Sequence, residues 1–398
     1  MITTINNEHK ELNFSSEREQ SQACLNSAEH EKNQGRKVLN VPNLRFPEFQ
    51  GEWEEYRIED ITENISSGRC KSHSPNGKYN LYGSTGIIGK TDEACYEGNL
   101  VLVARVGANA GSLQIINELC GITDNTLIIK PKEVDAQYLY FFLQHFNLNR
   151  LIFGSGQPLI TGGMLKKVKV SLGTVQEQNK LTKLLSLLDE RIATQNKIID
   201  KLQSLIKGIV DSTISCKPKN STIGYVCSVS EQIKAAPNLD DIITVRLHGK
   251  GVCKSSVENL QLGATQYYHR KAGQLIYGKQ NFHNGAIGIV PENLNNAITS
   301  KDIPSFDIKS SKCNPLYLLI QLQSPHYYKP AESLTTGTGS KRLKEETFLK
   351  MPIFLPDKER QDSIATLISS IMMKLNKADK TLNLLIKQKQ YLLRQMCI

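Results

Sequence analysis

Two stretches of the chain carry the same helical pattern. Leu181, Leu188, Gln195, Leu202 and Ile209 recur at one seam position and Leu185, Ile192, Ile199 and Ile206 at the other, four residues on, which is the heptad spacing of paired helices. Upstream, Gly173 breaks the chain, and Thr174 stands three residues before Glu177, the spacing of a capping box in which each side chain satisfies a free amide of the first turn. The second stretch opens at Pro356-Asp357. It places Ile364, Ile371, Ala378, Leu385 and Leu392 on one seam position and Ile368, Leu375, Leu382 and Lys389 on the other. Ala378 stands at the place of Gln195, so the amide has room to reach water or a partner and to fix register. Each helix, of about 36 residues at roughly 1.5 Å per residue, spans about 50 Å.

The correspondence between the two stretches extends beyond the helices. Gln178 and Gln361 are 183 positions apart, and the same offset, without a gap, pairs Gly154 with Gly337, Gly156 with Gly339, Lys167 with Lys350, Val170 with Ile353 and Leu172 with Leu355. Upstream, with small insertions, Gly98-Asn-Leu-Val-Leu-Val resembles Gly273-Gln-Leu-Ile-Tyr. Ile122-Thr123 leading to YLYFFLQ likewise resembles Ile298-Thr299 leading to YLLIQLQ. Each half reads as strands, a short helix, a Gly-rich loop, a strand such as Lys167–Leu172 and a long helix. Irregular spacing between the strands makes the fold class α+β. Two globular domains, 41–173 and 216–355, are separated by helices 174–215 and 356–398 that pair as an antiparallel coiled coil, giving a pseudo-twofold internal repeat. An open homodimeric coiled coil is the alternative use of the same heptads. Residues 1–40 are polar and read as a disordered leader.

Composition changes the picture in one respect. The 398 residues include 49 Lys and Arg against 39 Asp and Glu, a formal charge of +10, which favours a polyanionic partner. Hydrophobic residues make up 39%, enough for globular cores. The nine Cys form no C-x-x-C pair, the start carries no signal-peptide pattern, and no apolar run reaches the roughly 18 residues of a membrane helix, so the expected location is the cytoplasm.

Side chains suited to nucleic acid cluster in corresponding places. Gly154-Ser-Gly-Gln-Pro-Leu-Ile-Thr-Gly-Gly163 offers Ser155 and Gln157, and Thr335–Arg342 offers Ser340, Lys341 and Arg342, as contacts to phosphate oxygens. Tyr82, Ser84, Thr85 and Lys90 lie in a Gly-rich segment that fits a groove or a tight hairpin. Arg105 and Asn109, with Lys279, Gln280 and Asn281 as counterparts, can read base edges, Arg on guanine and the amides on adenine. Tyr268 and Arg270 belong to a basic aromatic run, Tyr267–Lys271. Taken singly, each fits a turn or a surface position equally well.

Catalytic signatures fail on spacing. From Gly83 to Gly89 there are five intervening residues where a phosphate-binding Walker loop needs four. Asn314-Pro-Leu-Tyr317 is one residue from an amino-methyltransferase signature, but Asn314 and Pro315 fit a helix cap and its first-turn proline. There is neither a Cys/His zinc set nor a G-x-S-x-G elbow, so no catalytic and no metal-binding residue is assigned.

VPNLRFPEFQGEWEEYRIEDI at Val41–Ile61, GNLVLVARVGANAG, TDNTLIIKP and the run from Val168 through QEQNKLTKLLSLLDERI resemble the specificity (S) subunits of type I restriction-modification systems. The resemblance implies two target-recognition domains, each reading one half of a split double-stranded DNA site. It implies a helical spacer that docks two methyltransferase subunits, with restriction subunits joining. S-adenosylmethionine, ATP and Mg would be held by those partners, and this chain would be non-catalytic. A half-site separation near one DNA turn, about 34 Å, suits helices of this length. An inactive or displaced copy of such a subunit, or a coiled-coil assembly protein without DNA specificity, is the competing reading. Two features depart from the family: the leader before Val41, and NSTIGYVCSV near Cys216, which lacks a WEEYRI-type opening.

Overall fold

The computed structural model describes residues 39–71, 73–152, 158–255, 265–337 and 340–398. They divide into two units, one of residues 39–196 with 381–398 and one of residues 197–380. Both long helices contribute to each. The leader, apart from its last two residues, lies outside the described residues, as do Ser155 and Gln157.

In the first unit β5 (Asn99–Ala104) and β8 (Thr126–Pro131) form the middle of an antiparallel sheet ordered β2-β8-β5-β6, with β2 at Thr62–Ser67 and β6 at Leu113–Asn117. Their near-continuous apolar sequences are those of strands covered on both faces. Alternation then sorts the side chains: Val101, Val103, Leu127 and Ile129 enter one core with helix α1 (Ala136–Phe146), and Leu100, Leu102 and Ile128 enter another beneath a smaller sheet. That outer sheet has the order β4-β3-β7, from β3 (Tyr79–Gly83), β4 (Gly86–Thr91) and β7 (Cys120–Ile122), with β3 and β7 parallel. Strand β1 (Glu54–Arg57) pairs with β9 (Lys169–Leu172) just before the long helix α3 (Val175–Val210). The strand expected from Lys167 starts two residues later, because Thr161 caps a short helix α2 (Gly162–Lys166) through the Met164 amide.

The second unit repeats the inner layer. Its four-stranded antiparallel sheet is ordered β11-β19-β16-β17, from Cys227–Val229, Ser305–Ile308, Leu275–Tyr277 and Ile287–Ile289, so each strand takes the place of its counterpart. Helix α4 (Pro315–Leu322) covers it, α5 (Glu345–Lys350) stands where α2 does, and β10 (Ser221–Thr222) pairs with β20 (Pro352–Ile353) ahead of α6 (Lys358–Met396). The missing WEEYRI opening is thus replaced by a two-residue strand. The outer layer differs: β12 (Lys234–Ala235), β15 (Tyr267–His269) and β18 (Ile298–Ser300) form a wholly antiparallel sheet, with β13 (Ile243–Val245) and β14 (Val252–Lys254) as a separate hairpin.

Matched hydrogen bonds carry the repeat to atomic detail. Gln178 donates to the Gly173 carbonyl and Gln361 to that of Pro356, each at 2.9 Å and each from a buried side chain. The Tyr138 hydroxyl donates to the Ser171 carbonyl and the Tyr317 hydroxyl to that of Phe354, at 2.9 and 3.0 Å. Asp135 and Asn314 cap α1 and α4 by accepting the Tyr138 and Tyr317 amides. Both acceptor pairs, Gly173 with Pro356 and Ser171 with Phe354, keep the 183-residue offset.

Every seam position of the two heptads is buried or half-buried. Lys389, the one charged member, is neutralised inside the first unit by Asp189 at 2.6 Å and lies over the Phe141 ring. The capping box forms by half. The Glu177 amide donates to Thr174 Oγ1 at 3.3 Å, but the Glu177 carboxylate turns away to accept both Nε and Nη2 of Arg45 at 2.8 Å and Trp53 Nε1 at 3.1 Å. A bidentate, charge-assisted pair outcompetes one backbone amide, and it fastens the segment ahead of β1 to the start of α3.

Candidate nucleic-acid interface

At one end of the first unit three segments meet. The turn after β5 is held by Arg105, whose amide donates to the Asn125 carbonyl and whose carbonyl accepts from the Ile160 amide, both at 2.9 Å; Gly107 adds a bond to Pro158 at 3.1 Å. Ser84 Oγ donates to the same Asn125 carbonyl at 3.2 Å. Ser84, Thr85 and Asn109 therefore line one open cleft with Lys71 and Asn125. The Arg105 guanidinium is half-buried and reaches Ser67 Oγ at 3.4 Å. Lys90 is exposed and donates to Asn80 Oδ1, while Tyr82 donates to Glu118. Burial, reinforced by that bond, pushes the Tyr82 hydroxyl up to about 12, so it remains a neutral donor.

The second unit repeats this seam. The Lys279 amide donates to the Asp302 carbonyl at 2.9 Å and its carbonyl accepts from the Leu343 amide at 2.8 Å. Ile160 and Leu343 are both wholly buried and 183 positions apart, so Lys279 occupies the place of Arg105. Gln280, Asn281 and Ser340 are exposed beside it. The cations are partnered by carboxylates: Lys279 with Glu345 at 2.9 Å, Arg342 with Asp302 at 3.3 Å and Lys341 with Glu332 at 3.5 Å.

Arg270 is placed elsewhere. Its side chain is fully buried, with Nε donating to Thr299 Oγ1 at 2.7 Å, Nη1 to Ser305 Oγ and Nη2 to the Ile303 carbonyl, both at 3.0 Å, and with half-buried Tyr268 flanking it. A guanidinium so engaged braces the strands and presents nothing outward. No signal in the run Tyr267–Lys271 distinguishes this, because a buried Arg is rare and its acceptors lie about 30 positions downstream. Asn125 and Asp302, the carbonyls on which both seams turn, were also absent from the sequence-based candidates, since a backbone acceptor leaves no mark on side-chain chemistry. Among the described residues no group of three or more His, Cys, Asp or Glu is placed to hold a metal ion.

Residues 50–204 match the family model described as the type I restriction modification DNA specificity domain. The type I restriction enzyme MjaVIII specificity subunit of Methanocaldococcus jannaschii is 24% identical over 375 residues, which cover 82% of this chain and 87% of that protein. A putative type I restriction enzyme MjaX specificity subunit from the same organism is 32% identical over 93 residues, 22% of each chain. Among solved structures, the type I restriction-modification S subunit from M. genitalium shares the fold at a TM-score of 0.63 and 14% identity, over 90% of this chain and 99% of that one. No helix among the described residues is long and apolar enough to cross a membrane.

Proposed function

We propose that this chain, which belongs to the family of type I restriction-modification specificity subunits, is the non-catalytic member that reads a split double-stranded DNA target. Domains 41–173 and 216–355 are the two readers. The helices 174–215 and 356–398, paired as an antiparallel coiled coil with pseudo-twofold symmetry, are the spacer and the dock for two methyltransferase subunits, which restriction subunits join. The observation that carries the reading is the repeated seam. Each unit brings a turn after its central strand against the end of a Gly-rich loop, on the same inner layer, beneath outer layers that differ. One support for two different sequences is what a bipartite site requires.

Arg105, Asn109, Ser84 and Thr85, with Tyr82 and Lys90 nearby, face one half-site; Ser155 and Gln157, which lie outside the described residues, would add contacts to it. Gln280 and Asn281, with Lys279, Ser340, Lys341 and Arg342, face the other. Exposed Leu187 and Leu205 on α3, and Leu367, Met373 and Leu384 on α6, give the docking faces apolar surface. S-adenosylmethionine, ATP and Mg belong to the partners, and the assembly works in the cytoplasm, where the eight described cysteines stay as free thiols.

Two measurements test the reading. Co-expression with methyltransferase subunits of such a system, followed by mapping of methylated adenines, is expected to give a split motif that depends on this chain. Exchange of residues 41–173 for those of another such subunit then changes one half of the motif; a change in both halves would sink the two-reader model. For DNA binding, about six phosphate contacts predict a log affinity that falls with log salt at a slope near −5, reduced by about one in Arg342→Ala. A flat salt response is the signature of an assembly protein without DNA specificity.

A further inference from the structure

We propose that the β3–β4 hairpin enters the major groove and that Ile87 and Ile88 read the 5-methyl group of thymine in the first half-site; this rests on the DNA-reading function proposed above. Tyr82 pairs with Ile87 and Leu81 with Gly89, which leaves Ile88 as an extra residue, a β-bulge. Consecutive strand residues point to opposite faces. Here the bulge breaks that alternation, and both isoleucines are exposed, 56% and 52%. Bulges re-aim side chains in this way at functional edges.

The apolar pair is braced. A Cβ at Gly83 would lie 2.9 Å from Cγ2 of Ile88, so glycine there lets Ile88 settle against β3 and face the cleft that holds Ser84, Thr85, Asn109 and Asp124. Gly89 leaves the matching space for His73. Strand β4 is the edge of its three-stranded sheet, so the hairpin keeps one open side, and the pairing of β3 with β7 ends at Tyr82. Lys71 and Lys90 stand exposed on the same hairpin and cleft, and Arg105 is half-buried beside them, which leaves a positive balance against Asp124 and the Glu118 carboxylate that accepts from Asn80 and Tyr82.

Duplex DNA fits this surface better than another protein face would, because hydroxyls, amides and cations surround a small apolar knob. Beyond Tyr82 the hairpin tip is only two strands wide and fits the roughly 12 Å width of the major groove, and thymine alone offers an apolar group on that edge. Among the described residues the second unit shows no counterpart, since its outer sheet β12-β15-β18 is built differently. Methyl reading by this hairpin belongs to the first half-site.

The test uses the full chain with its methyltransferase partners on the mapped target, with thymines replaced one at a time by deoxyuridine. Loss of one methyl contact is expected to weaken binding about three- to fivefold in the first half-site and not in the second. Ile87→Ala and Ile88→Ala should each bind thymine and uracil DNA alike, with unchanged thermal unfolding. Equal affinity of the unaltered chain for both bases, a first half-site without thymine, or variants that keep the discrimination would each overturn the proposal. So would variants that lose DNA bending and no base preference, which is the behaviour of an intercalating wedge. Failure to bind any DNA would instead remove the DNA-reading function itself.

Discussion

A chain ending at Tyr391 is expected to lose the first unit while the second stays folded. Leu393, Met396 and Cys397 are 8%, 5% and 1% exposed and belong to the core that holds Trp53, Tyr138, Leu139, Leu181 and Leu185; Leu392 and Ile398 pack against it. The Leu44 amide donates to the Gln395 carbonyl at 2.9 Å, so backbone pairing is lost as well. At roughly 1.5–3 kcal/mol for each buried side chain, removal of three costs about 6 kcal/mol before any cavity term. That is comparable with the whole stability of a domain, about 5–15 kcal/mol. The second core, built around Val210, Tyr277, Phe348, Ile364 and Ile368, contains none of the deleted residues. Hydrogen exchange followed by residue should show protection lost across 53–196 and kept across 223–368. Simultaneous loss in both units, or none in the first, would refute the assignment of the terminal helix turns. Cys397 supplies a second readout. Burial pushes its thiol up to about 12, so in the intact chain it should resist alkylation while exposed Cys95 and Cys216 react.

That the end of the chain completes the core of its beginning was half legible in the sequence. The heptads announced two long helices with periodically buried seams, and the 183-residue offset announced two similar units; both rest on periodic burial, which leaves a regular trace. Asn314 and Pro315 were likewise readable as a cap and a first-turn proline, because capping is local. Less was visible wherever a contact is made across distance by an irregular element. Nothing near Glu177 signals Arg45, 132 positions away, and the local rule therefore assigned its carboxylate to a backbone amide. The outer strands β12 to β15 are two or three residues long, too short for alternation to register, so their arrangement came only with the structure. For the candidate contacts, residue type located the turn at Arg105 and Lys279 but could not separate an exposed cation from one already paired, as Lys279 is with Glu345.

Arg270 is the sharpest instance, and it yields the second large effect: Arg270→Ala is expected to destabilise the second unit by about 3–5 kcal/mol. The guanidinium joins β15 to Thr299 on β18, to Ser305 on β19 and to the Ile303 carbonyl between them, so it ties the outer sheet to the inner one. Its truncation leaves a cavity and strands acceptors that water cannot reach. Burial brings its pKa down to about 10, which still leaves it charged at neutral pH, so the ion-dipole bonds to hydroxyl and carbonyl oxygens persist under ordinary conditions. Arg270→Lys should be nearly as damaging. A single ammonium cannot span three acceptors fixed by a planar fork. Urea unfolding of the second unit should report the loss, with a lower midpoint for both variants. The same pair of variants separates support from contact. If Arg270 braces the sheets, stability falls first and DNA affinity falls only as the second unit unfolds, sparing protection in the first. If R270A kept the stability of the unaltered chain and bound DNA more weakly, Arg270 would return to the interface and the buried geometry would not be that of the DNA-bound protein.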